Sequence, residues 1–215
     1  MKKLLVCLFA MLLVFGVAGV VDALPFQNGG FELGDHPLGD SYTTLSAPNT
    51  DITGWTVNSG SVDWIGGYWD ASEGERSLDM SGLSLGSISQ TFDTVANLTY
   101  NILFDMAGNT VGLPTTKSLD VEVKTPTETH AFTFDITGLA RPDNMGWTTY
   151  SFSFTPDSTS TTLTFTSTSV NNPPYYGAAL DNVRVNPIPE PTTILLLGAG
   201  LIGLLALGRK KLLKK

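Results

Sequence analysis

The chain has 215 residues, with 12 Lys and Arg against 20 Asp and Glu and a formal net charge of −8. Residues 24–186 hold 18 of the acids and 5 of the bases, so this part alone carries −13. Such a surface repels phosphate backbones, which argues against a nucleic-acid partner. The sole cysteine is Cys7, so residues 24–186 can form no disulfide, zinc-thiolate site or cysteine nucleophile.

The first 23 residues have the layout of a secretory signal peptide. Lys2 and Lys3 precede an apolar run over 4–21, and Val21 and Ala23 occupy the small-residue positions before a cleavage site. We expect cleavage after Ala23. The alternative is an uncleaved membrane helix, because the apolar run is long for a signal peptide. In both cases we expect the chain to be exported.

The two ends of the region that follows each present a carboxylate. Glu32 lies in NGGFE and Asp181 lies in AALDNVRV, and each stretch is interpreted as a strand. The first and last strands of an antiparallel sandwich often lie together, and a hard cation with oxygen ligands relieves the repulsion between two carboxylates. We therefore expect a structural Ca²⁺ bound by Glu32 and Asp181, with carbonyl oxygens from the turn near Ser77. The alternative is that both acids are ordinary strand residues.

Aromatic residues concentrate in ITGWTVNSGSVDWIGGYWDAS. Trp55 is expected in the core, whereas the pair at 68–69 follows two glycines, which is typical of a loop. A flat ring beside carboxylate and amide groups suits a sugar, whose C–H face stacks while its hydroxyls form hydrogen bonds. The alternative is a loop folded back as a lid over the core. The predicted ligand-binding residues are Trp64, Tyr68, Trp69 and Asp70, with Tyr175 and Tyr176 on a second loop, NNPPYYG.

Between residues 28 and 185 apolar and polar side chains alternate with a period of two, as in half-buried strands. TYSFSFT shows this best, with Tyr150, Phe152 and Phe154 on one side. The stretches YNILFDM, SLDVEVK, AFTFDI and TLTFT repeat the pattern, and turns rich in Gly, Pro, Asn and Asp separate them. About ten short strands without an amphipathic helix predict one all-β domain at 24–186, an antiparallel β-sandwich or jelly roll.

Three patterns that could indicate a catalytic or nucleotide site have simpler interpretations. GAGLIG lies in an apolar tail without a preceding strand, so it is not a dinucleotide fingerprint. GLSLG lacks the strand–turn–helix context of a nucleophile elbow and is interpreted as a β-turn. A pair of carboxylates could hydrolyse a glycosidic bond, but 18 acids make accidental pairs common. We predict no catalytic residues.

The C-terminal tail joins a Pro-Glu-Pro triplet to an apolar run and a basic end. The triplet Pro189, Glu190 and Pro191 closes a segment at 187–191, a transmembrane helix is predicted at 192–208, and a basic cytoplasmic end at 209–215. Prolines cannot continue a helix, so the glutamate stays on an extended, accessible segment outside the bilayer. A plain membrane anchor would not need this triplet. The tail resembles the PEP-CTERM sorting signal, which implies recognition by an exosortase-type transpeptidase of Gram-negative bacteria that make exopolysaccharide.

A set of stretches across 26–186 carries a second resemblance: ITGWTV, GSVDWI, YWDASEGERSLDMSG, GSISQTF, FDMAGN, MGWTTYSFSFT, TLTFTS and ALDNVRV. Together they resemble the bacterial choice-of-anchor C family, related to plant cell-wall proteins with a galactose-binding-like jelly roll. The resemblance implies a sandwich of the carbohydrate-binding type but no particular ligand.

These features together predict an exported, non-catalytic protein of the cell surface or extracellular matrix. It is expected to be held transiently in the inner membrane by its tail and to bind polysaccharide. A structural matrix protein without a specific sugar is the first alternative, and a glycoside hydrolase is the second.

Overall fold

The computed structural model describes residues 24–36, 41–170, 174–189 and 197–200. Eleven strands in this part form two antiparallel sheets, which confirms the predicted all-β sandwich. The strands are β1 (Tyr42–Ser46), β2 (Thr56–Ser59), β3 (Ser61–Ile65), β4 (Ser77–Asp79), β5 (Ser87–Asp93), β6 (Tyr100–Gly108), β7 (Thr116–Lys124), β8 (Glu128–Asp135), β9 (Thr148–Phe154), β10 (Ser160–Ser167) and β11 (Ala178–Pro187).

The two sheets differ in size and share one core. The front sheet has six strands in the order β1-β3-β4-β11-β6-β9, and the back sheet has five in the order β2-β5-β10-β7-β8. Alternation sends one face of each strand inward, as with Leu119, Val121 and Val123 of β7, which are fully buried. Phe104 of the front sheet packs edge to face against Phe165 of the back sheet, with ring centroids 5.3 Å apart. Apolar packing therefore holds the sheets together.

The N-terminal stretch NGGFE departs from the predicted strand. Asn28 and Phe31 have positive φ angles of 52° and 59°, and the Phe31 amide donates to the Asn28 carbonyl at 3.1 Å, so the chain turns here. The stretch still lies beside β11, because the Val183 amide donates to the Gly29 carbonyl at 2.9 Å. A Cβ at position 29 would lie 1.8 Å from the Val183 oxygen, so only glycine fits. The two ends of the domain are together, as predicted.

The predicted terminal segments lie largely outside the described residues. This holds for the signal peptide at 1–23, for Glu190 and Pro191, for most of the 192–208 helix and for 209–215. Pro189 is described and exposed, and residues 197–200 are helical. Among the described residues there is no helix with the length and apolarity needed to cross a bilayer.

The candidate site lies on the outer face of the front sheet. Residues directly opposite on antiparallel strands share a face, and Thr44 pairs with Asp63, which pairs with Asp79. Val62 and Trp64, their neighbours on β3, point to the interior instead. The outer face thus carries a row of polar side chains across β1, β3 and β4.

Candidate functional site

A pocket of about 170 Å³ lies on the outer face of the front sheet, at the end where β11 begins. The polar row of β1, β3 and β4 contributes to it, and loops from other parts of the chain form its sides. Its aromatic lining residues are Tyr42, Tyr68, Tyr175 and Tyr176, and its main polar ones are Thr44, Asp63, Asp79 and Asn109.

Asp63 lies on β3 and presents a carboxylate to the pocket. Its Oδ1 accepts a hydrogen bond of 2.6 Å from the Thr44 hydroxyl. Its Oδ2 accepts none from the residues that the structure describes. Burial raises the pKa of Asp63 above its ordinary value, although the bond from Thr44 lowers it. Asp63 therefore has acceptor capacity left for a ligand.

Asp79 lies opposite Asp63 and is buried. Its Oδ1 accepts from the amides of Ser81 and Gly177, each at 2.9 Å, and its Oδ2 accepts from the Asn109 side chain at 2.8 Å. Burial raises the pKa of Asp79 to about 7; the three hydrogen bonds oppose this rise and the charge of Asp63 adds to it. Asp79 thus joins three loops behind the pocket, and both of its oxygens have partners in the protein.

Tyr42 and Tyr68 form one wall of the pocket. Their rings meet nearly at right angles, with centroids 5.4 Å apart. Trp69 packs beside Tyr68 at 5.5 Å, and the guanidinium carbon of Arg141 lies 3.9 Å from the centroid of the Tyr68 ring. Tyr42 is 46% exposed, whereas Tyr68 is half-buried. The wall therefore has a fixed inner ring and an accessible outer one.

Tyr175 and Tyr176 form the second wall, with centroids 6.1 Å apart and rings nearly perpendicular. The Tyr176 carbonyl accepts a hydrogen bond from Nζ of Lys117, which also donates to the Gly112 carbonyl at 2.7 Å. Lys117 is fully buried, and burial lowers its pKa to about 8. A Cβ at position 112 would lie 2.0 Å from Cδ2 of Tyr176, so the absent side chain of Gly112 makes room for the ring.

The loop that carries Tyr68 is folded back onto the sheet by carboxylates. Oδ2 of Asp181 accepts from the amides of Ser72 and Glu73 at 2.8 and 2.9 Å. Oε1 of Glu32 accepts from the amides of residues 75 and 76 at 2.9 and 2.8 Å. The Ser72 hydroxyl also donates to Asp105 at 2.6 Å. The segment 66–76 is therefore fixed at several points.

This folding contradicts part of the predicted ligand site. Trp69 is 2% exposed and donates from Nε1 to the Ser77 hydroxyl at 2.8 Å, so the interpretation as a lid is correct for it. Trp64 is 1% exposed, because it lies on the inner side of β3 and donates to the Phe31 carbonyl. Asp70 is exposed but is not a lining residue of the pocket. Of the six predicted residues, only the three tyrosines line the pocket.

The predicted calcium ligands come together but have other partners. Burial raises the pKa of Asp181 to about 7, and the nearby charge of Glu32 adds to the rise. Both carboxylates accept backbone amides of the 66–76 loop, and the Ser77 hydroxyl accepts from Trp69. The described residues contain no group of three or more His, Cys, Asp or Glu side chains arranged to hold a metal ion. The calcium ion stays a prediction.

Sequence reasoning missed Tyr42, Asp63, Asp79 and Asn109. Alternation contains a signal for Asp63, because Val62 and Trp64 on either side are apolar and must share the inner face. For Asn109 no such signal exists, since it follows the last residue of β6 and reaches the pocket through pairing with β11.

The fold and the site define a class of protein: an antiparallel two-sheet β-sandwich that carries a tyrosine-lined pocket and is followed by a short tail. Residues 24–186 match the family described as protein of unknown function (DUF642), and the chain belongs to it. Residues 187–211 match the PEP-CTERM protein-sorting motif, which confirms the predicted signal and indicates a protein exported and sorted to the surface. The choice-of-anchor C family stays a prediction.

Individual proteins with similarity to this chain include halomucin of Haloquadratum walsbyi, which is 34% identical over 168 residues. The match covers 77% of this chain but 2% of halomucin. The structure of TmCBM61 in complex with β-1,4-galactotriose has 13% identity and a TM-score of 0.45, covering 77% of this chain and 99% of that one. The CBM22-1 xylan-binding domain from Paenibacillus barcinonensis Xyn10C has 16% identity and a TM-score of 0.46, and the match covers 73% of this chain and 99% of that domain. The similarity to these two solved structures concerns the fold alone.

Proposed function

We propose that this protein is a non-catalytic carbohydrate-binding protein, and that the pocket between the two tyrosine walls holds a sugar unit. The observation that carries the proposal is the arrangement of four tyrosine rings around the carboxylate of Asp63 and the other polar groups of the pocket. Tyrosine rings offer flat apolar faces to the C–H groups of a sugar, and the polar groups between them can bind its hydroxyls. The cavity that these groups line has a volume of about 170 Å³.

The arrangement of the acids supports binding over hydrolysis. A glycosidase needs one carboxyl group to deliver a proton and a second to act as nucleophile or base. Asp79 has both oxygens engaged with amide donors of the protein, so it is poorly placed to exchange a proton with a substrate. Asp63 alone faces the pocket with an unengaged oxygen in the described part of the chain.

The sorting motif in the tail supports a proposal about where the protein is located and how it is processed. We place the protein in a Gram-negative bacterium, held first in the inner membrane by the segment 192–208. An exosortase-type transpeptidase then processes the tail at its PEP-CTERM motif. The released protein binds polysaccharide, including the exopolysaccharide of its own cell, at the surface or in the extracellular matrix.

A glycan array with the full chain, purified in detergent, tests the proposed function. Tyr42→Ala removes an exposed ring of the pocket and should weaken capture severalfold, because an aromatic stack contributes about 0.5–1.5 kcal/mol. Leu33→Ala, which removes an exposed apolar side chain elsewhere, should leave capture unchanged. A folded protein that captures no glycan would favour the structural matrix protein. Release of reducing sugar that disappears in Asp63→Asn would favour a hydrolase.

The structural calcium ion is a separate proposal that concerns stability. Asp181 is buried beside Glu32, and a cation with oxygen ligands would offset the repulsion between these two carboxylates. An ion that binds only the folded state stabilises it by RT ln(1 + [L]/Kd) and so raises the melting temperature as its concentration rises. We expect millimolar calcium to raise the melting temperature of the full chain above its value in chelator. Equal shifts in the wild type and in Glu32→Gln would exclude this site.

A further inference from the structure

Among the described residues, the ionisable side chains that line the pocket include acids but no bases. Asp63 and Asp79 lie opposite each other on neighbouring strands, and both line the cavity. None of its lining residues in the described part of the chain is Lys, Arg or His. Two carboxylates in one cavity repel each other, and either a proton on one of them or a positive charge beside them relieves the repulsion.

Lys117 and Arg141 contact the tyrosine walls of the pocket but have other partners. Nζ of Lys117 donates to the carbonyls of Gly112 and Tyr176, with no carboxylate within 4 Å among the described residues. Arg141 lies over the ring of Tyr68 and donates to the Tyr68 carbonyl at 3.3 Å. Neither is a lining residue. The charge of Asp79 does interact with Lys117, but no cation in the described part of the chain lines the cavity beside Asp63.

The tyrosine walls favour the same kind of ligand. The face of an aromatic ring carries negative potential, and cations bind over it within about 6 Å of the centroid. One ring of the pocket already does this, because Arg141 lies 3.9 Å from the centroid of Tyr68. Tyr42, Tyr175 and Tyr176 also line the cavity. A positively charged group in the cavity would therefore have tyrosine rings and the Asp63 carboxylate among its neighbours.

We propose that the pocket selects a saccharide unit that carries a positively charged amino group, with Asp63 as the residue that binds the amine. This inference rests on the proposed carbohydrate-binding function and specifies its ligand class. The ammonium donates to Oδ2 of Asp63, the oxygen that has no donor in the described part of the protein, and the sugar ring stacks on the tyrosines. A neutral sugar lacks the charge-assisted bond, and an acidic sugar is repelled by the carboxylate of Asp63.

The test compares hexosamines with neutral counterparts of the same stereochemistry. Glucosamine, galactosamine and mannosamine are each titrated against their N-acetylated forms into the full chain in detergent, with binding measured by ligand-detected NMR. We expect at least one amine to bind about tenfold more tightly than its acetylated form, since a hydrogen bond to a charged group contributes about 1.5–3 kcal/mol. Asp63→Asn, which keeps the shape of the side chain, should abolish the preference. Asp157→Asn removes the same charge from an exposed position and should keep it.

Each result decides between the inference and the function on which it rests. Equal binding of amines and acetylated sugars, weakened by Tyr42→Ala, would overturn the amine selectivity and leave carbohydrate binding intact. A preference for amines that survives in Asp63→Asn would show attraction to the acidic surface in general and would overturn the role of this pocket. If no hexosamine binds while the glycan array captures neutral glycans, the inference also fails. If neither experiment detects any sugar, both proposals fail.

Discussion

Tyr68 and Trp69 are adjacent in the chain, yet their rings have different surroundings. Tyr68 lines the pocket, while Trp69 is buried against the outer face of the front sheet and bonds to Ser77. The sequence could not separate them, because the contacts that fold this loop back come from Asp181, 109 residues away from Ser72. Local composition contains no trace of such a contact.

Truncation of these side chains should separate packing from ligand binding. Trp69→Ala is expected to lower the free energy of unfolding by about 3–5 kcal/mol, because it empties a buried site. Tyr42→Ala, at a ring that is 46% exposed, should cost at most about 1 kcal/mol. Urea denaturation of the two variants checks this. Similar losses in both would show that Trp69 is not part of the packed structure.

The buried carboxyl of Asp79 should make stability depend on pH. Its pKa rises from 3.8 to about 7 on folding, so the folded state holds a proton that the unfolded chain has lost over this range. Stability is therefore expected to fall as the pH rises from about 4 to about 7 and to level off above it. Melting temperatures in chelator measure the slope. In Asp79→Asn the decline should be shallower; an unchanged slope would contradict the assignment.

Among the elements, alternation predicted the long strands better than the short ones. β6 to β10 each contain a clear apolar series, such as Leu163 and Phe165 of β10, and these strands formed as predicted. β1 and β4 are only 5 and 3 residues long, too short for a period of two to stand out. Yet these two supply pocket residues. The fold was therefore more predictable than the site, since the site depends on short strands and on loops joined by distant contacts.

The loop at Gly112 offers a test of the second tyrosine wall. Gly112→Ala would place a Cβ 2.0 Å from Cδ2 of Tyr176, so the ring must move. We expect shifted NMR signals of the Tyr176 ring and weaker capture of the glycans that the wild type binds on the array. Gly67→Ala is the control, because nothing lies within 4 Å of the Cβ it would add. Unshifted Tyr176 signals in Gly112→Ala would contradict this packing.

At the scale of the whole molecule, a compact acidic domain is joined to a tail with a sorting motif. The domain at 24–186 carries −13, and its packed core contains no cysteine. The tail match at 187–211 begins at the last residue of β11, so no linker of appreciable length separates the sheet from the motif. The sorting motif therefore follows the β-sandwich directly in the chain.

The sorting motif predicts a shortened mature protein. Protein from the surface or the medium of the native host should lack residues from about Pro191 onward if, as we propose, the tail is a signal and not a permanent anchor. Mass spectrometry of the C-terminal peptide measures this. Detection of Leu201 in surface or released protein would exclude processing. A variant with Glu190→Ala, which alters the triplet alone, should remain unprocessed in the membrane fraction.

The direction of β11 determines how the pocket is presented. Tyr176 lies two residues before the strand begins at Ala178, and the strand ends at Pro187, where the tail begins. Ten strand residues extend for about 33 Å, so the pocket and the attachment point are at opposite ends of the sandwich. If the tail holds the chain in the membrane before processing, as we propose, the pocket opens at the end of the domain remote from that attachment point. Under that proposal, a polysaccharide reaches the pocket without coming close to the lipid, so binding does not have to wait for release of the protein.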